Sequence, residues 1–298
     1  MTNLPSPLVT VSMTTFNSED TVERAVRSVL NQSQGDFELL ISDACSTDST
    51  LKILSRLADG DSRIRLILST EQQPCVVLTK NALRSARGRY FAIVDGDDFV
   101  ATSYLENLLV RLEGGNWIAA MACLVHCDLE GKHVPDHPSS CRNFFFSEIG
   151  NRWLRLTRLV LTPDCYGACN LLYALWSIDS LREIGFWSVK DERPDDDQLF
   201  VLRAVSLGPI AQVPTTWICR TIPTARGVSV ITSRMGVEDL QCSRPFTIAN
   251  WDFPLFVQLR RFASEDPRRW LIAPAIFVRL VMAVLAVPKK ILRLFHSK

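Results

Sequence analysis

The chain has 298 residues, 47% hydrophobic and 22% charged, which describes a globular protein with a sizeable core and excludes disorder as the default. Thirty-three basic against 32 acidic residues give a formal charge of +1, so no global field argues for nucleic acid or for a strongly acidic partner. Nine cysteines, an odd number, are scattered without a framework, and Met1 to Pro7 lacks the basic and apolar regions of a signal peptide, so free thiols in a reducing cytosol are expected.

In chain order, Leu8 to Met13 predicts a strand, Thr14 to Ser18 a polar loop, and Val22, Ala25, Val26, Val29 and Leu30 recur at helical spacing. Phe37 to Ser42 predicts the next strand, which runs into Asp43. Ser46, Thr47 or Asp48 can then cap a helix carrying Leu51, Leu54 and Leu57. Arg63 to Leu68 gives a third strand and Val76 to Ala86 a helix with Lys80 and Asn81. Gly88 ends that helix in the manner of a C-terminal cap, before the strand Tyr90 to Val94. Such β-α alternation over about ninety residues predicts a doubly wound, Rossmann-like sheet, mostly parallel and flanked by helices. No G-x-G-x-x-G or P-loop is present to hold a phosphorylated ligand.

The strand Tyr90 to Val94 ends in Asp95-Gly96-Asp97-Asp98, and the carboxyl ends of strands are where open α/β sheets bind ligands. One reading is an acidic solvated turn. The other is a divalent-cation site, Mg²⁺ or Mn²⁺ on hard oxygen ligands, bridging to substrate phosphates. A nucleotide pyrophosphate on an Asp95/Asp97 cation, with Asp43 receiving the base, is a compact hypothesis.

Together, Val9 to Asn17, Ser28 to Gln32, Asp43 to Asp48, Lys80-Asn81 and Asp95 to Asp98 resemble, in order and spacing, the motifs of glycosyltransferase family 2, which has the GT-A fold. The resemblance covers about the first 130 residues well. It implies that Asp43 hydrogen-bonds a uracil or thymine ring, that Thr15 and Asn17 line the nucleoside, and that Lys80 replaces an arginine near the nucleotide. It also implies that Asp95 and Asp97 form the D-x-D pair, with Asp97 the direct metal ligand. Thr14 and Ala44 depart from the family pattern, where proline and a second acid are common.

Trp117 to Cys123 predicts another strand. From about His126 to Thr162 the rhythm is lost, and variable loops with core aromatics are expected, His126, His133 and His137 forming no metal cluster. The alternative is an acceptor-binding insertion. The pairs Cys123/Cys127 and Cys165/Cys169 lack the tighter spacing and nearby histidines of structural zinc sites, so buried thiols are expected. A helix-like stretch from Tyr166 to Ile184 is stopped at Gly185. Acids Asp195 to Asp197 then precede a helix with Leu199, Phe200, Leu202, Arg203 and Val205, a position the helix dipole favours. The resemblance makes Asp197 the catalytic base and Asp196 the preceding acid; a register one residue earlier exchanges them. Ile210 to Val213 and Thr216 to Cys219 predict short strands. Arg220 or Arg226 are candidates for the pyrophosphate.

Trp270 to Val287 is apolar, but it falls short of the roughly twenty residues that span a bilayer and contains Pro274 and Arg279. Followed by Lys289, Lys290 and Arg293, it reads as an amphipathic attachment to anionic lipid, with a core or oligomer helix as the alternative. The expected organisation is a nucleotide-sugar-binding half over 1–128, an acceptor and catalytic-base half of the same domain over 129–235, and a C-terminal helical region over 236–298. The expected activity is inverting transfer of a sugar from a UDP- or dTDP-sugar to a hydroxyl acceptor on a glycan or lipid-linked precursor, with Mn²⁺ or Mg²⁺, at the cytoplasmic face of the cell membrane. A non-catalytic sugar-nucleotide-binding or scaffold protein is the alternative.

Overall fold

The computed structural model describes residues 6–134, 145–161, 170–185 and 196–222, with Phe262, Pro274 and Ile276. The chain forms two compact units: Met1–Asn143, Tyr173–Trp187 and Ile210–Leu240 make the first, and Phe144–Leu172, Ser188–Pro209 and Gln241–Lys298 the second. The predicted apolar segment Trp270 to Val287, the loop at Arg226 and His137 lie outside the described residues.

The first unit is built on an eight-stranded sheet. Strands β1 (Val9–Thr15), β2 (Phe37–Asp43), β3 (Ile64–Leu68) and β4 (Tyr90–Ile93) are its parallel part, in the order β3-β2-β1-β4. Both β1 and β2 are buried along their whole length, as expected for central strands covered on both faces. Helices α1 (Val22–Leu30), α2 (Thr50–Gly60) and α3 (Cys75–Ser85) connect them, and α1 buries Val22, Ala25, Val26 and Val29, the stripe its periodicity predicts. After β4 the sheet continues through β5 (Phe99–Val100), α4 (Tyr104–Glu113), β6 (Ala119–Cys127), β7 (Leu175–Ser177), α6 (Ile178–Ile184) and β8 (Ile210–Thr221), with strand order β4-β7-β6-β8-β5. Here β7 runs antiparallel to both β4 and β6, β8 is parallel to β6, and β5 is antiparallel to β8.

In the second unit, helix α5 (Arg152–Leu161) and α7 (Asp196–Leu207) are joined through Arg155, which is buried. Its Nε donates to the Val205 carbonyl at 2.8 Å and its Nη1 to the carbonyls of Ile149 and Gly150 at 2.5 and 2.8 Å, so a buried charge is satisfied by main-chain dipoles.

Several local expectations differ from the structure. The stretch read as irregular contains α5; Arg155 interrupts the apolar stripe of Leu156, Leu159 and Val160 that would have revealed it. The helix expected up to Ile184 begins only at Ile178, because the buried Leu175 and Trp176 form a strand, and a short apolar run does not distinguish the two by periodicity. Gly185, at φ +66°, ends α6 as expected. The two short strands after Gly208 are one strand, β8, whose register against β6 shifts between Ala122 and Cys123 where Pro214 and Thr215 are exposed.

Gly88 does not cap α3, which ends at Ser85 with Ala86 already extended. It lets the connection to β4 press against β1: its N–H donates to Thr10 Oγ1 at 3.0 Å, and a Cβ there would meet Thr10 N at 2.5 Å and Val9 C at 2.7 Å. Those neighbours are main chain and cannot swing aside. Gly88→Ala is therefore expected to cost about 1–3 kcal/mol, read as a lower urea midpoint at unchanged slope.

Candidate active site

The last two residues of β1 each hold one carboxylate. Thr15 Oγ1 donates to Asp43 Oδ2 at 2.9 Å, and Thr14 Oγ1 donates to Asp95 Oδ1 at 2.9 Å. Because successive side chains of a strand point to opposite faces, one strand end serves both neighbours, β2 on one side and the β4 extension on the other. The extension continues alongside β1 through Val94 N to Ser12 O at 3.0 Å and Gly96 N to Thr14 O at 3.0 Å. Gly96 is needed for this closeness, since a Cβ would stand 2.6 Å from Thr15 Cγ2.

Asp43 is 1% exposed and accepts three hydrogen bonds, from Thr15 Oγ1, from Ser46 N at 2.8 Å and from Ser46 Oγ at 2.5 Å. It thereby shapes the loop after β2. Asn17 N donates to Ser46 Oγ at 2.9 Å, and Asn17 Oδ1 accepts from Thr47 N at 2.8 Å, so the loops after β1 and β2 are laced together. Asn17 and Cys45 have φ of +48° and +68°, and both lie in this lacing, the kind of backbone strain that tends to gather at functional sites. Asp48 Oδ1 accepts from Thr50 N at 2.9 Å at the start of α2, while Ser46 and Thr47 take no part in capping that helix. Lys80 is buried on α3, which packs on β1 and β2. At the start of the same helix, Cys75 Sγ lies 3.1 Å from Thr14 Oγ1.

The three acids after β4 separate into three roles. Asp95 has both oxygens engaged, Oδ1 by Thr14 and Oδ2 by the Tyr173 hydroxyl at 3.0 Å. Asp97 is half-buried; burial, and then the Asp95 carboxylate, push its carboxyl up to about 6, with Arg220 and Arg24 pulling against them. Its main-chain carbonyl accepts from Thr221 Oγ1 and from Arg24 Nη2 at 3.4 Å. Asp98 is fully buried and turns away to β8, accepting from Thr221 N at 2.9 Å and Arg220 Nε at 3.3 Å. Burial and Asp97 push the Asp98 carboxyl well above the usual carboxylate range.

An anion disfavoured by burial and by a like charge is what a divalent cation relieves, and the donors here are hard oxygens. Among the described residues no group of three or more Asp, Glu, His or Cys forms a closed cage. Two carboxylates that leave the remaining positions to water and phosphate fit Mg²⁺ or Mn²⁺. Cys123 and Cys127 are free thiols on one strand, four residues apart.

Sequence reasoning missed Tyr173 and Arg24. Tyr173 is 78 residues from its partner Asp95. Arg24 lies on α1, its guanidinium stacked on the Phe99 ring at 4.7 Å and bonded to Leu129 O at 3.0 Å. Neither belongs to a local pattern. The predicted base falls in the other compact unit: α7 begins at Asp196, so Asp196 and Asp197 lie in its first turn, and their side chains are outside what the structure describes. Among the described residues no helix is long and apolar enough to cross a membrane.

The fold has solved counterparts. S. aureus TarS, in a structure in complex with UDP, is similar with a TM-score of 0.56 and 18% identity over 86% of this chain and 72% of that one, a likeness in the GT-A fold. In sequence, a Haemophilus influenzae protein described as an uncharacterized glycosyltransferase is 29% identical over 155 residues, 52% of this chain and 62% of that protein. The Escherichia coli UDP-Glc:alpha-D-GlcNAc-diphosphoundecaprenol beta-1,3-glucosyltransferase WfaP is 33% identical over 106 residues, 36% of this chain and 41% of that protein. The chain thus spans less than two thirds of the length of these curated relatives. The family model for glycosyl transferase family 2 matches residues 10–173, from the strand that holds both carboxylates to the tyrosine on Asp95, and with more than half of its length so matched this chain belongs to that family.

Proposed function

We propose that this protein is an inverting glycosyltransferase that moves a sugar from a UDP- or dTDP-sugar to a hydroxyl on a lipid-linked glycan precursor at the cytoplasmic face of a membrane. The observation that carries this reading is the pair of carboxylates, Asp43 and Asp95, held by consecutive residues at the end of β1. Asp43, held by three donors, is an acceptor for the ring N–H of a uracil or thymine, and the Asn17 loop and Lys80 flank the nucleotide. Asp97, with Asp95 beside it, is where a cation is held. Such a cation, Mn²⁺ or Mg²⁺, supplies Lewis-acid stabilisation of the departing diphosphate. Asp197 takes the proton from the acceptor hydroxyl, and inversion requires it on the ring face opposite the leaving group. The lipid-linked acceptor is suggested by the printed activity of WfaP, and the nucleotide by the UDP complex of TarS.

The test is direct. Purified protein with Mn²⁺ is heated against a panel of sugar nucleotides, and the matching donor at a hundredfold excess over its Kd is expected to add about 2.7 kcal/mol, a shift of several degrees. The same donor with a polyprenyl-diphosphate sugar is then expected to give product. If no donor is bound, hydrolysed or transferred, the enzyme reading fails in favour of the scaffold alternative.

A further inference from the structure

Tyr173 is the only residue among those described that touches two of the charged groups around Asp97 from opposite sides. Its hydroxyl donates to Asp95 Oδ2 at 3.0 Å, and the guanidinium of Arg220 lies over its ring, 4.3 Å from the centroid. Arg220 in turn reaches Asp98 through Nε. The tyrosine is itself fixed: its main-chain carbonyl accepts from the hydroxyl of Tyr104, which is 1% exposed, at 2.9 Å. It sits just before β7, the strand that pairs with β4, so the sheet carries it to the acids.

We infer that Tyr173 is the positioning residue of this site, its hydroxyl orienting Asp95 for the cation and its ring stationing Arg220 for the donor's diphosphate. The inference rests on the proposed nucleotide-sugar site and adds to it a division of labour within one side chain. Hydroxyl donation fixes the Asp95 carboxylate from the side opposite Thr14, so that its charge stands behind Asp97 in one orientation. Groups that orient metal-site carboxylates typically alter cation affinity by about 10- to 100-fold when removed. The ring face acts on Arg220 by a cation–π contact, worth a few-fold to about thirtyfold in affinity when partly desolvated.

Two variants of the full chain separate these roles. Tyr173→Phe keeps the ring and loses the hydroxyl; Tyr173→Leu loses both. Mn²⁺ affinity is measured by electron paramagnetic resonance of the free ion, and UDP affinity by calorimetry with Mn²⁺ and again in EDTA, beside melting temperatures. Tyr173→Phe is expected to weaken Mn²⁺ binding about tenfold, with melting within about 2 °C of wild type and UDP binding in EDTA unchanged. Tyr173→Leu is expected to weaken UDP binding in EDTA as well, by about three- to thirtyfold. Wild-type Mn²⁺ affinity in Tyr173→Phe overturns the inference, and so does a loss of affinity that only tracks a lowered melting temperature. If Tyr173→Leu binds UDP in EDTA as wild type does, the Arg220 half is wrong. A wild-type protein that binds neither Mn²⁺ nor any UDP- or dTDP-compound instead sinks the donor-site reading, and this inference with it.

Discussion

Asp197→Asn is expected to slow sugar transfer by about 10²- to 10⁴-fold, the range of a general base, while Mn²⁺-dependent UDP binding stays within about twofold of wild type. Asparagine keeps the size and an acceptor oxygen at the start of α7 but cannot take a proton. In rate terms the loss corresponds to about 3–5 kcal/mol of barrier. The position suits a base, because the first turn of a twelve-residue helix favours a carboxylate in its ionised form. Removing that charge costs the fold only about 0.3–1 kcal/mol, so a large loss of activity cannot be charged to unfolding. Initial rates at saturating donor, paired with calorimetry for UDP, measure both quantities on one sample. Asp196→Asn is the control for register, with a smaller effect if Asp197 is the base and the larger one if the roles are exchanged. Loss of UDP binding in Asp197→Asn would mean that this acid belongs to the donor site and that the base lies elsewhere.

What could be read from the sequence follows the range of the interactions involved. The strands β1 to β4 were legible because each is an apolar run closed by polar residues, and Asp43 and Asp95 were legible because they fall where those runs stop. That they share β1 through Thr14 and Thr15 needed the strand register, which no local pattern encodes. The departure at Thr14 from the family's usual proline has a physical counterpart here, since only a hydroxyl at this position donates to Asp95. Tyr173 stayed hidden because its function lies in a contact across 78 residues, and its own segment reads as helix. Arg155 misled in the other direction: a charge inside an apolar stripe signals solvent, unless carbonyls from α7 and from the turn before α5 meet it. Asp98 was read as a third member of an acidic cation cluster, and its burial against β8 became visible only with the sheet closed.

Asp98→Ala is accordingly expected to destabilise the protein by about 3–5 kcal/mol, the cost of removing one partner from a buried charge pair. Against a total stability of about 5–15 kcal/mol, that is enough to leave a marginal protein. The side chain holds the chain between β4 and β5 to the end of β8: Oδ1 takes Thr221 N, Oδ2 takes Arg220 Nε, and β5 pairs with β8 from the next residue on. Alanine leaves the Thr221 N–H buried without its acceptor and Arg220 without its counter-charge. Asparagine keeps an acceptor for Thr221 and removes the repulsion from Asp97, giving up only the ion pair, so Asp98→Asn is expected to cost about 1–3 kcal/mol. Urea unfolding of metal-free protein measures both, and an alanine variant within about 0.5 kcal/mol of wild type contradicts the role. Asp97→Asn should behave oppositely in the same assay. Because burial and Asp95 already disfavour the Asp97 anion, neutralising it is expected to leave the metal-free midpoint equal or higher, while Mn²⁺ binding is lost. Two adjacent acids, alike in sequence, would then differ in sign: one holds the sheet together, and the other is tolerated by the fold for the cation it takes.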